Sequence, residues 1–380
     1  MDENEGMSLV PAADEQPSPV PPALKQPSPV ELTLEQLERG ARNIALPGIG
    51  INGQRRLRAA KVLVLGAGGL GSPALQYLAA AGVGTIGVVD FDVVDLSNLQ
   101  RQVIHAGAHI GEAKTNSAAR AIAALDSTIR TVTHDTRLTA DNAVEIFSAY
   151  DLIVDGSDNF ATRYLANDAA AILHKAYIWG SVLRYDGQVT VFWEGAPDGR
   201  SVDYRDLHPT PPDPSGVLSC AEAGVLGSVC GTIGSMMATE ALKLITGIGE
   251  PLLGRVQNLD ALAATWREFG LRRSPTRIPV GGLVDYEEFC GVPQFDASLE
   301  VEDAPRGWRL IDVREPYEHE LRHLDGDELV PLGQVLSAPG AIEGPVALYC
   351  ASGVRSNRAA QALRAAGIEA VSLRGGIRVR

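Results

Sequence analysis

The stretch that most limits what this chain can fold into begins at residue 62. A short apolar run, 62–65, leads into Gly66-Ala67-Gly68-Gly69-Leu70-Gly71 and then into an Ala-rich segment reaching Ala81. A short continuous apolar run suits a strand buried on both faces, and the segment after it reads as a helix. The glycines between them let the backbone turn tightly and approach a phosphate. The helix N-terminus there offers free N–H groups and the positive end of its dipole. A second apolar run, 85–90, ends on Asp90 roughly 20 residues later, where a carboxylate accepts hydrogen bonds from ribose hydroxyls. Strand, glycines, helix and acid in that order predict a bound nucleotide, against the blander reading of a glycine turn with no ligand. Taken alone, these residues suit a NAD-dependent oxidoreductase.

The alternation continues with a helix at 114–125 and strands at 129–133 and 152–155, which predicts a parallel sheet covered on both faces. Around 177–193 two β-rich runs flank Tyr185-Asp186-Gly187, a turn signal, so antiparallel strands are expected to extend the sheet. A Pro-rich loop at 197–214, a small-residue helix at 222–246 and a strand pair at 255–260 and 265–271 come next. Before the glycines, 31–42 reads as a helix with Leu32, Leu34 and Leu37 on its apolar side. Residues 1–30 carry PSPV twice in a Pro- and acid-rich setting and are expected to be a disordered tail, since such a stretch buries too little to offset its ordering entropy. Residues 273–299 read as a linker. Beyond them strands at 309–313, 346–349 and 370–373 and a helix at 355–366 form a second, smaller α/β domain. The expected division is therefore 1–30, 31–272, 273–299 and 300–380.

With 380 residues, two or three domains are expected, and 45% hydrophobic and 21% charged residues are ordinary for a globular protein. A formal charge of −14 argues against general nucleic-acid binding, which needs clustered Lys and Arg. No apolar run is long enough to span a bilayer, and no basic segment precedes an apolar one as in a secretory signal. The four cysteines, Cys220, Cys230, Cys290 and Cys350, form no CxxC pair, against a disulfide framework or a simple zinc ribbon. A reducing cytoplasm fits these features.

The residues after Asp90 depart from the pattern of a dehydrogenase. The run continues through Asp92 to Asp95-Leu96-Ser97-Asn98-Leu99-Gln100-Arg101-Gln102; Lys114 opens the next helix, and Asp158-Asn159 comes after the fourth strand, with Arg163 a helical turn on. Two cations and a carboxylate beside a nucleotide suit a triphosphate with Mg²⁺: Arg101 and Lys114 to neutralise phosphate, Asp158 to hold the metal. No P-loop GK[ST] is present.

On these motifs, with DGSDNFATR and SCAEAGVLG, residues from about 34 to 271 resemble the ubiquitin-activating superfamily, in particular the ThiF and MoeB adenylyltransferases of bacterial thiamine and molybdopterin biosynthesis. The resemblance implies a Rossmann-like mixed sheet extended by antiparallel strands. It implies an ATP site built from Gly66, Gly68, Gly69, Gly71, Asp90, Asp92, Asn98, Arg101, Gln102, Lys114, Asp158 and Asn159, with Mg²⁺ on Asp158. It further implies a homodimer in which Arg42 reaches the partner's γ-phosphate. The usual RYxR reads Arg39-Gly40-Ala41-Arg42 in this chain, so the tyrosine is missing and a solvated charge at a helix end is the competing reading of Arg42. Cys220 matches the superfamily's crossover-loop cysteine; an acyl disulfide, a thioester and plain packing all remain open for it. Cys230 is expected in the core. Relatives commonly carry two CxxC pairs. Asp203-Tyr204-Arg205-Asp206 stands at the first and only Cys290 lies near the second, so no structural zinc is expected and Cys290 reads as a small buried hydrophobe.

In the second domain, Cys350-Ala351-Ser352-Gly353-Val354-Arg355 joins an apolar run to a helix, a setting in which backbone N–H groups and a helix dipole favour a thiolate or persulfide. With Leu310-Ile311-Asp312-Val313-Arg314-Glu315-Pro316 upstream, residues 300–380 resemble a rhodanese domain, whose Cys-x4-Arg loop is that of sulfur transfer rather than phosphatase chemistry. Asp312 and Arg314 read as structural. Relatives usually continue with a further helix past Gly375-Gly376, so a C-terminally truncated domain is expected. The whole chain resembles the MoeB/MoeZ type of fusion. That implies adenylylation of the C-terminal glycine of a ubiquitin-like sulfur carrier with a Gly-Gly tail, then sulfur transfer from a Cys350 persulfide charged by a small-molecule or protein donor. An adenylyltransferase with an inactive rhodanese module, and a docking scaffold without turnover, are the alternatives.

Overall fold

A computed structural model describes residues 24, 30–212, 224–291 and 294–379. They fall into two compact units that divide after Val284. All but residues 24 and 30 of the expected tail, and Cys220, lie outside the described residues.

The first unit opens with α1 (Leu34–Ile44). Thr33 caps it through a reciprocal pair of bonds with Gln36, which is why the helix starts after residues 31–33. A second helix, α2 (Gly50–Ala59), was not legible in the sequence; it buries only Gly53, Gln54 and Leu57 and so leaves almost no apolar period. The α/β alternation then runs β1 (Lys61–Leu65), α3 (Gly71–Ala80), β2 (Thr85–Asp90), α4 (Lys114–Leu125), β3 (Arg130–Asp135), α5 (Ala143–Ser148), β4 (Leu152–Asp155), α6 (Phe160–Ile172) and β5 (Ala176–Leu183). After it come β6 (Asp186–Phe192), a short α7 (Tyr204–Leu207), the long α8 (Gly227–Thr246), β7 (Arg255–Asp260) and β8 (Thr265–Gly270).

These strands make one eight-stranded sheet in the order β3-β2-β1-β4-β5-β6-β7-β8. It is parallel from β3 to β5 and antiparallel from β5 to β8. This is the mixed, Rossmann-like sheet extended by antiparallel strands that the sequence implied. Helix α3 packs against both α4 and α8, and α5 pairs with α6. The β5–β6 turn falls on Arg184 and Tyr185, with Arg184 at φ 54, so Asp186 and Gly187 already belong to the strand. Gly187 is needed for packing: a Cβ on it would lie 2.4 Å from Ile233 Cγ1 of α8. The expected helix from 222 starts only at Gly227 among the described residues.

The corner around Asp203–Asp206, where the resemblance implied a cysteine pair, is held by an ion cluster. The Arg277 guanidinium is 3% exposed and pairs with Asp203, with Asp206 at 3.3 Å and with Glu194 at 2.5 Å. Burial pushes the Asp203 carboxyl up to about 6, with Arg277 pulling the other way. These residues do not fit a zinc ion, because the carboxylates already share a guanidinium and, among the described residues, no thiolate or imidazole forms a metal-ligand cluster with them.

The second unit contains α9 (Tyr286–Phe289), β9 (Glu300–Val301), β10 (Arg309–Asp312), α10 (Pro316–Leu321), β11 (Glu328–Leu329), α11 (Leu332–Ser337), β12 (Val346–Tyr349), α12 (Val354–Ala365) and β13 (Ala370–Leu373). Its five strands lie in the order β11-β10-β12-β13-β9, all parallel. Ile311, Val335, Leu348, Ala359 and Leu363 form part of its core. Residues 285–291, inside the expected linker, are ordered as α9 and its cap, where Cys290 is buried.

Removing one partner from a buried charge cluster leaves the others unpaired, at a cost of about 3–5 kcal/mol. Arg277→Met is expected to lower unfolding stability by that amount in urea titration, and Asp203→Asn with Asp206→Asn in the same chain is expected to recover part of it. A single Arg277→Met variant of unchanged stability contradicts this role.

Candidate nucleotide and sulfur sites

The glycine loop is fixed by contacts that only small residues allow. A Cβ on Gly71 would stand 1.8 Å from the Gly66 carbonyl oxygen, so the first turn of α3 closes directly on the end of β1. Gly66 itself has φ 80. Beside the loop, a Cβ on Gly69 would meet Cys230 Sγ at 2.9 Å; this buried cysteine of α8 is a packing residue, as expected.

The peptide after Gly66 is held from both ends. The Ala67 N–H donates to Asp90 Oδ2 at 2.8 Å, and the other Asp90 oxygen accepts the Asp92 N–H at 2.9 Å. On the far side the Ala67 carbonyl faces His105 Nε2 at 2.9 Å. A carbonyl only accepts, so Nε2 carries the proton and Nδ1 accepts from the Ser117 hydroxyl at 2.9 Å. Ser117 in turn lies 3.1 Å from His109 Nδ1. Burial holds His105 below its ordinary pKa, so it is a neutral strut. Burial raises Asp90, with the Lys114 charge opposing it. His105 and Ser117 had no sequence signal: neither falls at a motif position, and only the fold carries them to Ala67.

The remaining site residues gather around this loop in different states. Lys114, almost wholly buried, pairs with Asp92 at 2.9 Å and also donates its N–H to the Asp92 carbonyl at 2.9 Å. Asp95 and Asn98 cap a short 3-10 turn, and the N–H groups of Arg101 and Gln102 donate to the Asn98 carbonyl. That turn brings Arg101 Cγ within 3.5 Å of a Gly69 Cβ position and Gln102 Nε2 within 3.9 Å of a Gly68 one. Gln102 Oε1 is buried and accepts no hydrogen bond from the described residues. The loop after β4 reaches the same place, since a Gly66 Cβ would meet the Gly156 carbonyl oxygen at 3.5 Å. Two residues on, Asp158 is exposed and has no partner among the described residues, whereas Asn159 caps α6 by accepting the Thr162 N–H. Arg163 lies buried over Trp179 and donates to the Ser157 carbonyl. Arg42 is exposed on the last turn of α1, with no bond to the loop within this chain.

This arrangement can bind a nucleotide whose phosphates sit over the loop. Backbone N–H groups face them, and Arg101 and Lys114 supply charge. The single unpaired carboxylate of Asp158 fits Mg²⁺, which takes one or two protein carboxylates and draws its other ligands from phosphate and water.

In the second unit, Cys350 comes directly after β12 and is buried. Its Sγ accepts the Gly353 N–H at 3.1 Å and lies 3.6 Å from Ser356 Oγ. Sulfur placed against N–H and O–H donors at the start of α12 is set up to carry negative charge. Arg355 is held by a two-point pair with Glu318 of α10, at 2.6 and 2.7 Å. Asp312 and Arg314, the motif residues read as structural, bind each other: burial works against the Asp312 charge, but the Arg314 bonds hold it below the usual carboxylate range.

The first fold and loop are those of a nucleotide-binding enzyme domain, and the second unit sets a cysteine in a loop between a parallel strand and a helix. Residues 41–280 match the ThiF family and residues 295–379 the rhodanese-like domain. The chain is 51% identical over 364 residues to the probable adenylyltransferase/sulfurtransferase MoeZ of Mycobacterium tuberculosis, covering 91% of this chain and 93% of that one. It is 50% identical over 268 residues to the sulfur carrier protein adenylyltransferase of Thermus thermophilus, covering 68% and 98%. Its fold also matches the crystal structure of E. coli MccB with ATP at a TM-score of 0.56 and 21% identity, over 64% of this chain and 73% of that one. The protein belongs to the ThiF family and carries a rhodanese-like domain C-terminal to that region. It is an adenylyltransferase and sulfurtransferase. Among the described residues no helix is long and apolar enough to cross a membrane.

His105 gives a pH-dependent test. Its folded pKa lies below its unfolded value, so its contribution to stability is present above the ordinary histidine range and is lost as pH falls through it. His105→Gln is expected to flatten that acid limb in urea titrations between about pH 7 and 5. An unchanged slope would show that the ring does not titrate as a buried strut.

Proposed function

We propose that the chain uses ATP and Mg²⁺ to adenylylate the C-terminal glycine of a ubiquitin-like sulfur carrier ending in Gly-Gly, then delivers sulfur from a Cys350 persulfide to make the carrier thiocarboxylate. The observation that supports this most is the pairing, in one chain, of a clamped glycine loop beside the unpaired Asp158 with a cysteine loop whose N–H group points at sulfur. The name of the Thermus relative, a sulfur carrier protein adenylyltransferase, points to the same substrate class.

The first step is attack of a carboxylate oxygen on the α-phosphorus of ATP, with pyrophosphate leaving. The chain's own part is alignment and charge: the glycine-loop N–H groups with Arg101, Gln102 and Lys114 hold the phosphates, and Asp90 holds the loop and receives the ribose. Lys114 exchanges Asp92 for phosphate when the nucleotide arrives. Mg²⁺ on Asp158 would offset charge on the departing phosphates. In the second step the terminal sulfur of the persulfide attacks the acyl carbon and AMP leaves, giving an acyl disulfide on Cys350; a small-molecule thiol then attacks the Cys350 sulfur, forming a mixed disulfide and releasing the carrier thiocarboxylate, and a second such thiol reduces the mixed disulfide to free Cys350. A small-molecule or protein donor recharges Cys350. Arg42, exposed on α1, completes the site of a second copy in a homodimer. The reaction belongs in the cytoplasm, where thiols stay reduced.

Asp158 has no partner among the described residues, so Asp158→Asn is expected to keep the fold and cut ATP–pyrophosphate exchange by roughly 10²–10³-fold. Mixed with an Arg42→Ala protomer, it is expected to regain activity through hybrid sites. Near-normal exchange by Asp158→Asn alone removes it from the catalytic role.

Cys350→Ala is expected to keep carrier adenylylation and lose thiosulfate-dependent thiocarboxylate, read by the mass of the carrier C-terminus, while free sulfide restores the product because an acyl-adenylate is electrophilic enough to take it. Full thiosulfate-dependent product from Cys350→Ala leaves the second reading, an adenylyltransferase with a non-catalytic rhodanese module.

A further inference from the structure

Below the Cys350 loop, three side chains that the sulfur chemistry does not use come together. His319 is on α10, His323 lies one helical turn later, and Asp327 precedes β11. One ligand atom from each lies within 4.8 Å of those of the other two. The two imidazoles stack at 4.4 Å with 20° between their planes.

The hydrogen bonds around them have the form that supports metal ligands. His319 Nδ1 lies 3.1 Å from Asp312 Oδ2, and His323 Nδ1 lies 3.1 Å from the His319 carbonyl oxygen. Carboxylate and carbonyl oxygens accept, so in the neutral tautomer Nδ1 carries the proton and Nε2 the lone pair; His319 Nδ1 also stands 3.5 Å from Asp327 Oδ2, and the stacked rings must turn before both lone pairs meet one ion. Metal-ligating histidines are oriented by such outer partners. Asp327 accepts the Tyr349 hydroxyl on Oδ2.

We propose that His319, His323 and Asp327 form a zinc-type site for a divalent, borderline-soft cation, with a fourth position left to water. Two imidazoles and one carboxylate suit Zn²⁺ better than Mg²⁺ or Ca²⁺, which prefer all-oxygen shells. Zn–N bonds of ~2.0–2.1 Å place ligand atoms about 3.3 Å apart, so the set closes by somewhat over 1 Å on binding. His323, which is exposed, is free to supply that movement.

The site's attachments give it a purpose. Tyr349, bonded to Asp327, immediately precedes Cys350, and Leu324 N–H donates to the same Tyr349 hydroxyl at 3.1 Å. Glu318, adjacent to His319, holds Arg355 at the far end of the cysteine loop. A bound cation therefore ties both ends of the loop to one short segment, 318–327, and steadies the sulfur site without touching sulfur.

The test is Co²⁺ and Zn²⁺ titration of the tag-free full chain after chelation, by visible absorption and calorimetry, for the wild type, Cys350→Ala and His323→Ala. The expected result is one saturable site in the wild type and in Cys350→Ala, with four-coordinate Co²⁺ bands and no thiolate charge-transfer band. His323→Ala is expected to bind at least about tenfold more weakly and to lose the metal-dependent rise in melting temperature. Because His323 is exposed, its variant is expected to match the metal-free wild type in circular dichroism, and His323→Gln serves as a second, bulkier control. Absence of saturable binding in the wild type, equal affinity in His323→Ala, or loss of binding in Cys350→Ala each overturns the proposal, the last by making the thiol the ligand.

Discussion

Everything in the first unit hangs on how closely α3 meets β1. The Gly71 position stands so near the Gly66 carbonyl that a single methyl group would collide with backbone, which cannot rotate away as a side chain could. Only with that approach does Ala67 present its N–H to Asp90 and its carbonyl to His105. One peptide thus fastens the ends of β1 and β2 to the segment between β2 and α4, and the phosphate-facing backbone is set before any ligand arrives. Preorganisation of this kind matters for acyl activation, where the protein contributes placement and charge and little covalent chemistry of its own.

The charges at this loop are in two conditions, and the difference has a physical reading. Lys114 and Asp92 are already paired, so the buried cation is not left uncompensated before a nucleotide binds. Asp158 is exposed and unpaired, and water solvates it at little cost. On the proposed reading a nucleotide bringing both phosphate and a cation would find a partner for each, phosphate competing with Asp92 for Lys114 and the cation turning to Asp158. The same unit holds its outer corner with Arg277 and carboxylates, a desolvated ion cluster that pairing makes tolerable.

Much of this was legible in the sequence because strand–glycine–helix geometry is written locally. The strand ending at Asp90, the helix from Lys114 to Leu125 and the strand ending at Tyr349 fall where the apolar runs put them. What could not be read is long-range. The bond from His105 to Ala67 spans 38 residues, and that from Arg277 to Glu194 spans 83; no periodicity encodes either. The misplaced β5–β6 turn has the same origin. Gly187 looked like a turn residue, but its small size is demanded by Ile233, a residue far along the chain. The polar helix α2 was missed because its buried face is held by Gln54, whose Nε2 donates to the Ala81 carbonyl, rather than by an apolar stripe.

The two units repeat one device with different atoms. Each places its reactive centre at the carboxyl end of a central parallel strand, where a loop turns into a helix and backbone N–H groups converge. In the first the converging donors await phosphate oxygen; in the second one already reaches sulfur. The demands on the loops then differ. A phosphate site must open to a large ligand, and its glycines leave room for one. In the second unit Cys350 is buried, its sulfur meets the Gly353 N–H and the Ser356 hydroxyl, and Arg355 is held by Glu318. The 350–355 loop is thereby fastened through Tyr349 at one end and Arg355 at the other, so the donors around the sulfur are set by backbone placed in advance.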